Sequence, residues 1–83
     1  MFFVYVIKSK RGLTYTGQTQ DLDRRVVEHN HGKSKWTSQD ENWELVYSKA
    51  FETRSEAIRH ERWLKSGVGR DFLREIMVKT SKS

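Results

Sequence analysis

Apolar residues of this chain fall into three short runs, separated by polar segments, as in a small β-sheet. The first run, Phe2–Ile7, is apolar at odd and even positions alike, which is typical of a strand covered on both faces. The second covers Leu13–Gln18 and the third Trp43–Phe51. Lys10-Arg11-Gly12 fits a three-residue hairpin loop, because glycine readily takes the left-handed conformation needed at its last position. The first two runs are therefore predicted to form a hairpin.

The length of this loop decides which residues of the hairpin lie opposite each other. It places Ile7 opposite Tyr15 and Tyr5 opposite Gly17, so the two tyrosines share a face as diagonal neighbours. Gly17 has no side chain to cover the Tyr5 phenol. A loop one residue longer or shorter would send the two tyrosines to opposite faces.

Helical spacing of apolar residues follows directly after the hairpin. It predicts a helix from about Asp21 to Asn30, with Thr19 or Asp21 as its N-cap and Gly32 as its stop. One stripe of this helix should pack against the hairpin, and it holds Leu22, Arg25, Val26 and His29. An arginine and a histidine on the packed stripe are unusual, because solvent is available on the other side.

Two further helices are predicted after the third strand. Thr53-Arg54-Ser55-Glu56 is a capping box that opens a helix to about Lys65. A carboxylate interrupts the inner stripe of this helix, which holds Ala57, Ile58, Glu61 and Leu64. Gly67 and Gly69 are expected to break the chain before a short last helix, whose inward residues are Phe72, Leu73 and Ile76.

The predicted elements make one α+β domain with three strands and about three helices, over residues 1–78. Residues 79–83 are predicted to form a frayed tail. Residues 31–42 have no consistent period and are predicted to form a polar loop.

Composition narrows the classes of function. The 83 residues include no cysteine, which excludes disulfides, thiolate metal sites and a cysteine nucleophile, and favours the cytoplasm. No apolar run reaches the ~18 residues of a membrane-spanning helix, and the N-terminus lacks the features of a signal peptide. Sixteen Lys and Arg against eleven Asp and Glu suit a polyanionic partner, although solvated lysines alone would give the same balance.

Several polar residues lie on faces that the pattern predicts to be inward or shared, and together they fit a site that cleaves phosphodiesters. A carboxylate can hold Mg²⁺, which often needs only one or two protein carboxylates. An arginine neutralises charge that develops on the phosphoryl oxygens, and a phenol or imidazole accepts a proton from water. The residues are Tyr5, Tyr15, Arg25, His29 and Glu61.

With these residues in this order, the chain resembles the GIY-YIG nuclease family. The two signature motifs correspond to Phe3-Val4-Tyr5 and Tyr15-Thr16-Gly17. The helix arginine of the family corresponds to Arg25, the histidine or tyrosine that follows it to His29, and its metal-binding glutamate to Glu61. The resemblance extends from Phe2 to about Met77 and is closest to the small stand-alone bacterial members. The chain is also similar to the catalytic domain of the excision-repair nuclease subunit.

This resemblance implies a small antiparallel sheet flanked by helices, and an endonuclease that hydrolyses DNA in repair or recombination. It implies one Mg²⁺ or Mn²⁺ ion on Glu61, with Tyr15 as the general base or the group that orients water. Arg25 would grip the scissile phosphate, Tyr5 would position Tyr15 and the water, and His29 would share the proton transfer.

The chain departs from the family pattern in ways that keep a second hypothesis open. Gln18 stands where some members carry a phosphate-contacting lysine, and Asp71-Phe72-Leu73-Arg74 lacks the late-helix asparagine of some members. A nucleic-acid-binding module without cleavage, or an accessory domain that acts with a partner, is the alternative. Because no sequence-reading module is present, DNA shape, a protein partner or self-association would supply specificity.

Each candidate also has a purely structural interpretation. Tyr5 could be a core residue, Arg25 could extend along the surface beside Leu22, and His29 could be a hydrogen-bonded structural histidine. Glu61 could simply pair with Arg25. Contacts with DNA are expected from Gln18, Arg24, Arg25, Lys33, Lys35 and Trp36, although the loop that carries the last three could be merely solvated.

Overall fold

A single antiparallel sheet lies at the centre of the structure, a computed structural model that describes residues 1–31 and 43–80. Its strand order is β2-β1-β3, so the first strand is central. In chain order the elements are β1 (Phe2–Lys8), β2 (Thr14–Thr19), α1 (Leu22–Asn30), β3 (Glu44–Phe51), α2 (Arg54–Leu64) and α3 (Gly67–Thr80). The predicted α+β fold with three strands and three helices is confirmed.

The hairpin of β1 and β2 has the predicted register. Ile7 lies opposite Tyr15 and Tyr5 lies opposite Gly17. A backbone hydrogen bond closes the loop: the Ser9 amide donates to the Leu13 carbonyl over 2.8 Å. Gly12 has a φ of +94°, the left-handed conformation that the loop requires.

β1 is covered on both faces, as its continuous apolar run predicts. Val4 and Val6 belong to a core with α2 and α3, where Ala57, Leu64 and Leu73 are buried. Tyr5 and Ile7 point to the opposite face and pack with Trp43 and with the α1 residues Leu22 and Val26. Because side chains alternate along a strand, the sheet separates an α1 side from an α2–α3 side.

Side-chain caps start α1 and α2 where the sequence predicts them. The Asp21 carboxylate accepts a hydrogen bond from the Arg24 amide over 3.2 Å and caps α1. The Thr53 hydroxyl accepts from the Glu56 amide over 3.3 Å and donates to the Glu56 carboxylate over 2.9 Å. These contacts satisfy amides that have no partner within the helix.

The last helix differs from the sequence-based expectation. Gly67 and Gly69 do not break the chain: both lie in the first turn of α3, a helix of 14 residues, and the break is limited to Lys65 and Ser66. A side chain at position 69 would collide with the carbonyl of Trp63 at the end of α2. Gly69 is therefore a close-packing residue, and the predicted short helix was wrong in length and in its start.

α3 runs to Thr80, two residues past the predicted domain end at residue 78, and residues 81–83 lie outside the described residues. Leu73 is buried on its inward side, as predicted, with Phe72 and Met77 partly buried beside it. In residues 1–31 and 43–80, no helix has both the length and the apolar character needed to cross a membrane.

The end of α1 is tied directly to the start of β3. The Asn30 side-chain amide donates to the Trp43 carbonyl over 3.0 Å, and the Trp43 amide donates back to the Asn30 side-chain oxygen over 2.6 Å. His31 is the C-cap residue of α1. The expected stop at Gly32 and the polar loop fall on residues 32–42, outside the described part of the chain.

Candidate active site

Tyr5 and His29 form a buried hydrogen-bonded pair on the α1 side of the sheet. The Tyr5 hydroxyl lies 2.8 Å from Nε2 of His29. The exposed fractions are 1% for Tyr5 and 0% for His29. The predicted helical stripe is responsible, since His29 lies one turn after Arg25 and Val26 on the face of α1 that packs against β1.

Tyr15 completes this cluster from the neighbouring strand. Its ring centroid lies 6.2 Å from that of Tyr5 and 4.9 Å from that of His29. Gly17 makes this arrangement possible, because a Cβ there would lie 2.8 Å from the Tyr5 hydroxyl and 2.9 Å from the Tyr15 ring. The predicted sharing of a face by the two tyrosines is confirmed, and Gly17 leaves the space that both rings use.

Burial keeps the hydrogen-bonded pair neutral near pH 7. It raises the pKa of Tyr5 to about 12, an effect that the neighbouring Arg25 opposes. Burial also lowers the pKa of His29, and the positive charge of Arg25 lowers it further. A neutral phenol can donate and a neutral imidazole nitrogen can accept, so the pair suits a tautomer in which Nδ1 of His29 carries the proton.

Arg25 lies at the rim of this cluster, with its side chain 31% exposed. Its guanidinium lies 3.3 Å from the Glu28 carboxylate. Partial burial acts to lower the pKa of Arg25, but the hydrogen bond with Tyr5 and the neighbouring phenols and carboxylate outweigh it and raise the pKa. Arg24 points outward instead, with a side chain 75% exposed and 3.6 Å from Glu28.

Glu61 is held by two partners that the sequence analysis did not assign to it. Gln18 donates an amide hydrogen bond to one carboxylate oxygen over 3.2 Å. The ammonium of Lys65, one helical turn later, lies 2.8 Å from the other oxygen. The side chain of Glu61 is 20% exposed. The alternative of a Glu61 ion pair with Arg25 was wrong, because Arg25 pairs with Glu28.

These groups lie on the two sides of the edge strand β2. Tyr15 and Gly17 face α1, whereas Gln18, one residue on, faces α2 and holds Glu61 there. The negative charge of Glu61 is near enough to Tyr5 to contribute to the rise of its pKa. An edge strand leaves its outer backbone groups unpaired, so they are accessible to a large substrate.

The residues at this edge suit a metal ion that takes most of its ligands from water and from the substrate. The described residues contain no group of three or more His, Cys, Asp or Glu side chains that could form a closed cage. Mg²⁺ and Mn²⁺ need fewer, since Mg²⁺ is commonly bound by one or two carboxylates with water and phosphate oxygens. Glu61 offers one such carboxylate, and Lys65 would have to release it.

The residues predicted to contact DNA have separate outcomes. Gln18 contacts Glu61, which no sequence signal indicated. Arg24 and Arg25 lie on adjacent faces of α1. Lys33, Lys35 and Trp36 lie outside the described residues. The spacing of Glu61 and Lys65 by four residues is a signal that could have indicated their ion pair.

Comparison with known families agrees with this geometry. The model of the GIY-YIG catalytic domain matches residues 1–72. The chain belongs to the GIY-YIG family. This family consists of nuclease-type domains that generally depend on a metal, and all five predicted site residues lie within the matched region.

Individual relatives of this GIY-YIG protein are small proteins of similar length. A UPF0213 protein of Staphylococcus epidermidis is 39% identical over 75 residues, which cover 89% of this chain and 92% of the relative. One from Staphylococcus saprophyticus is 37% identical over 65 residues, or 77% and 79% of the two chains. The solution NMR structure of a UPF0213 protein from Bacillus halodurans is 34% identical, covers 100% of both chains and superimposes with a TM-score of 0.54.

Proposed function

We propose that this GIY-YIG protein is a metal-dependent endonuclease that hydrolyses phosphodiester bonds of DNA. The observation that supports the proposal is the arrangement of these groups on the edge strand β2. There, Tyr15 contacts the buried Tyr5/His29 pair, Arg25 lies at the rim, and Glu61 is held by Gln18. A packing role alone does not explain why two phenols, an imidazole and an arginine lie together on the α1 side of this strand while a carboxylate is held on its other side.

In the proposed reaction a water molecule attacks the scissile phosphorus while the bond to the leaving oxygen breaks. Tyr15 is the phenol of the cluster that is only partly buried, and it accepts the proton of this water or orients it. Arg25 neutralises the charge that grows on the phosphoryl oxygens. When bound at Glu61, Mg²⁺ or Mn²⁺ supplies further charge neutralisation at the same phosphate.

Tyr5 and His29 act as positioning residues in this proposal. With a pKa of about 12, Tyr5 stays protonated at neutral pH and is a poor base. His29 is fully buried, so it acts on the reaction through its hydrogen bond with Tyr5 and its ring contact with Tyr15. The pair therefore forms the rigid surface that orients Tyr15 and its water.

The proposal is tested by incubating the purified protein with supercoiled, branched and single-stranded DNA in Mg²⁺ or Mn²⁺. Nicking of at least one substrate is expected, with its loss in EDTA and in Glu61→Gln and Arg25→Gln. Glu75→Gln is the matched control, because it removes an equal charge from an exposed position on α3. Mn²⁺ binding, measured by electron paramagnetic resonance, should weaken in Glu61→Gln only. No nicking on any substrate would contradict the proposal.

A second candidate is a nucleic-acid-binding module without cleavage, either alone or as an accessory domain beside a partner protein. It is favoured by one observation: both carboxylate oxygens of Glu61 are already occupied, by Gln18 and Lys65. Salt-dependent DNA binding without turnover and without a chelator effect would support it. Co-purification of a stoichiometric partner, or self-association, would identify the accessory case.

We place the proposed reaction in the cytoplasm, in DNA repair or recombination. Two features support this setting: the chain lacks cysteine, and its net charge of +5 suits a polyanionic substrate. Sensitivity of a deletion strain to DNA damage, rescued by the wild-type chain and not by Arg25→Gln, is the expected result.

A further inference from the structure

A groove runs along β2 on the side of the sheet opposite Tyr5. It lies between this edge strand and the turn that joins α2 to α3, and its volume is about 370 Å³. We call it the threonine groove and define it by Thr14, Thr16, Lys65 and Arg70, with Tyr15 at its rim. Two buried leucines contribute to its lining.

The threonine groove carries two positive charges, and among the described residues only one of them is neutralised by an ion pair. Lys65 and Arg70 both line it, and none of the described residues that line it is a carboxylate. Lys65 is neutralised by Glu61 at 2.8 Å. Arg70 is exposed and has no ion-pair partner within residues 1–31 and 43–80. A guanidinium in this position attracts an anion from solution.

The polar groups of the strand side complement this charge. Thr14 and Thr16 are two residues apart on β2, so their side chains lie on the same face of the sheet. Gln18 continues this row and holds Glu61. Threonine hydroxyls beside a guanidinium are typical ligands of a nucleic-acid backbone, where they position the strand without reading its sequence.

The threonine groove also shares its walls with the candidate active site. Tyr15 lines the groove and contacts the His29 ring, with centroids 4.9 Å apart. Lys65 lines the groove and contacts Glu61. We propose that the threonine groove binds a backbone phosphate of the cleaved DNA strand, adjacent to the scissile phosphate. This inference rests on the proposed function, and it assigns Arg70, Thr14 and Thr16 as DNA-binding residues.

A second concave surface with an exposed arginine fits an anion less well. It is lined by Phe51, Arg59, His60 and Trp63, but also by Glu56, whose negative charge opposes that of Arg59. Arg59 and Arg70 are both exposed helix arginines with no ion-pair partner among the described residues. They differ in the groove that each one lines, which makes Arg59 the matched control.

The test measures DNA binding in EDTA, so that cleavage does not enter. Fluorescence anisotropy with labelled single-stranded and duplex DNA is recorded from about 50 to 200 mM salt. Arg70→Gln should reduce the slope of log affinity against log salt by about one unit, which is a three- to fourfold smaller loss of affinity over this range. Arg59→Gln should leave the slope unchanged. Equal slopes for the wild type and Arg70→Gln would overturn the inference.

A second variant tests the hydroxyl groups without changing charge. Thr14→Val together with Thr16→Val preserves shape and strand preference, and thermal unfolding confirms that the protein is folded. It should weaken binding severalfold at constant salt slope, and unchanged affinity would overturn the assigned role of the threonines.

The outcomes also separate this inference from the proposed function. Binding that depends on Arg70, without nicking in Mn²⁺, would support the threonine groove and contradict the nuclease. Nicking that depends on Glu61, with no effect of Arg70→Gln on binding, would support the nuclease and overturn the groove. A wild-type protein that binds no DNA would overturn both.

Discussion

Two tyrosine–histidine pairs occur in this small domain, one on each side of the sheet. Tyr5 bonds to His29 on the α1 side, and Tyr47 bonds to His60 on the α2–α3 side, each over 2.8 Å. In both pairs burial raises the pKa of the tyrosine and lowers the pKa of the histidine. The hydrogen bond and its electrostatics therefore do not distinguish the two regions.

The surroundings of the two pairs distinguish them. The Tyr47/His60 pair is packed among aromatic rings, with centroids 5.5 Å from Tyr47 to Phe72, and 5.1 Å and 5.5 Å from His60 to Phe51 and Trp63. This is the environment of a packing cluster.

The Tyr5/His29 pair adjoins groups that can act on a phosphate. Arg25 lies at its rim, and the ring of Tyr15 packs beside it where Gly17 has no side chain. The charge of Glu61 reaches it as well. The comparison teaches that a phenol–imidazole bond indicates chemistry only where a second phenol and an arginine that contacts the pair accompany it.

The strongest test compares the arginine nearest to each pair. Arg25→Gln should lower the rate of cleavage about 100- to 1,000-fold, because it removes a cation aimed at the phosphoryl charge. Arg59→Gln, beside His60, should change the rate less than about twofold, since an exposed charge away from the site contributes little. Rates of plasmid nicking measure both. Equal effects would end the distinction between the regions.

The second test removes the tyrosine hydroxyl of each pair. Tyr5→Phe should lower cleavage about 10- to 100-fold, because a positioning contact of the catalytic phenol is lost. Tyr47→Phe should leave cleavage unchanged. Each should cost about 1 kcal/mol of unfolding free energy for the lost hydrogen bond. Urea unfolding and nicking rates are measured on the same preparations, and a loss of activity in Tyr47→Phe would count against the comparison.

Two closely packed glycines provide a third pair. Gly17→Ala and Gly69→Ala should each destabilise the fold by about 1–3 kcal/mol, because a Cβ at either position meets atoms at closer than normal contact. At temperatures where both are folded, only Gly17→Ala should reduce cleavage, since it displaces Tyr5 and Tyr15. A Gly17→Ala variant with wild-type activity would show that the close packing of both rings against Gly17 is not needed for cleavage.

The smallest expected effect is on the pH dependence of stability. The pKa values of His29 and His60 are lowered from the ordinary 6.5, so the unfolded chain binds protons before the folded chain does. Stability should therefore be complete above about pH 7 and decrease as the pH falls below 6.5. Urea unfolding at several pH values measures this. His60→Gln should reduce the decrease and retain the part due to His29, and a profile that His60→Gln leaves unchanged would restrict the effect to His29.

Local rules were sufficient to predict the hairpin and the starts of α1 and α2. Gly12 determines the loop, the loop determines the register, and the register places Tyr5 beside Tyr15. Asp21 and Thr53 cap their helices by contacts within three residues. Such short-range contacts depend little on the rest of the fold, so the sequence alone was enough to locate them.

Three of the missed features depend on how α2 packs against the sheet and against α3. Glu61 lies on the predicted stripe, but its contact with Gln18 spans 43 residues and depends on the position of α2 over β2. Gly69 was interpreted as a helix breaker, although its role is to let α3 approach the end of α2. The Tyr47/His60 pair likewise joins β3 to α2. Propensity and periodicity carry no information about such distances.

The reciprocal bonds between Asn30 and Trp43 have a consequence for how this domain can diversify. The Asn30 side chain bonds to the Trp43 backbone as a neighbouring strand would, and so joins the end of α1 to the start of β3. The two ends of the segment between these residues are therefore held together. Lengthening such a segment costs little, because closure entropy grows only slowly with loop length. Insertions between Asn30 and Trp43 should therefore leave Tyr5 and Tyr15 in their places.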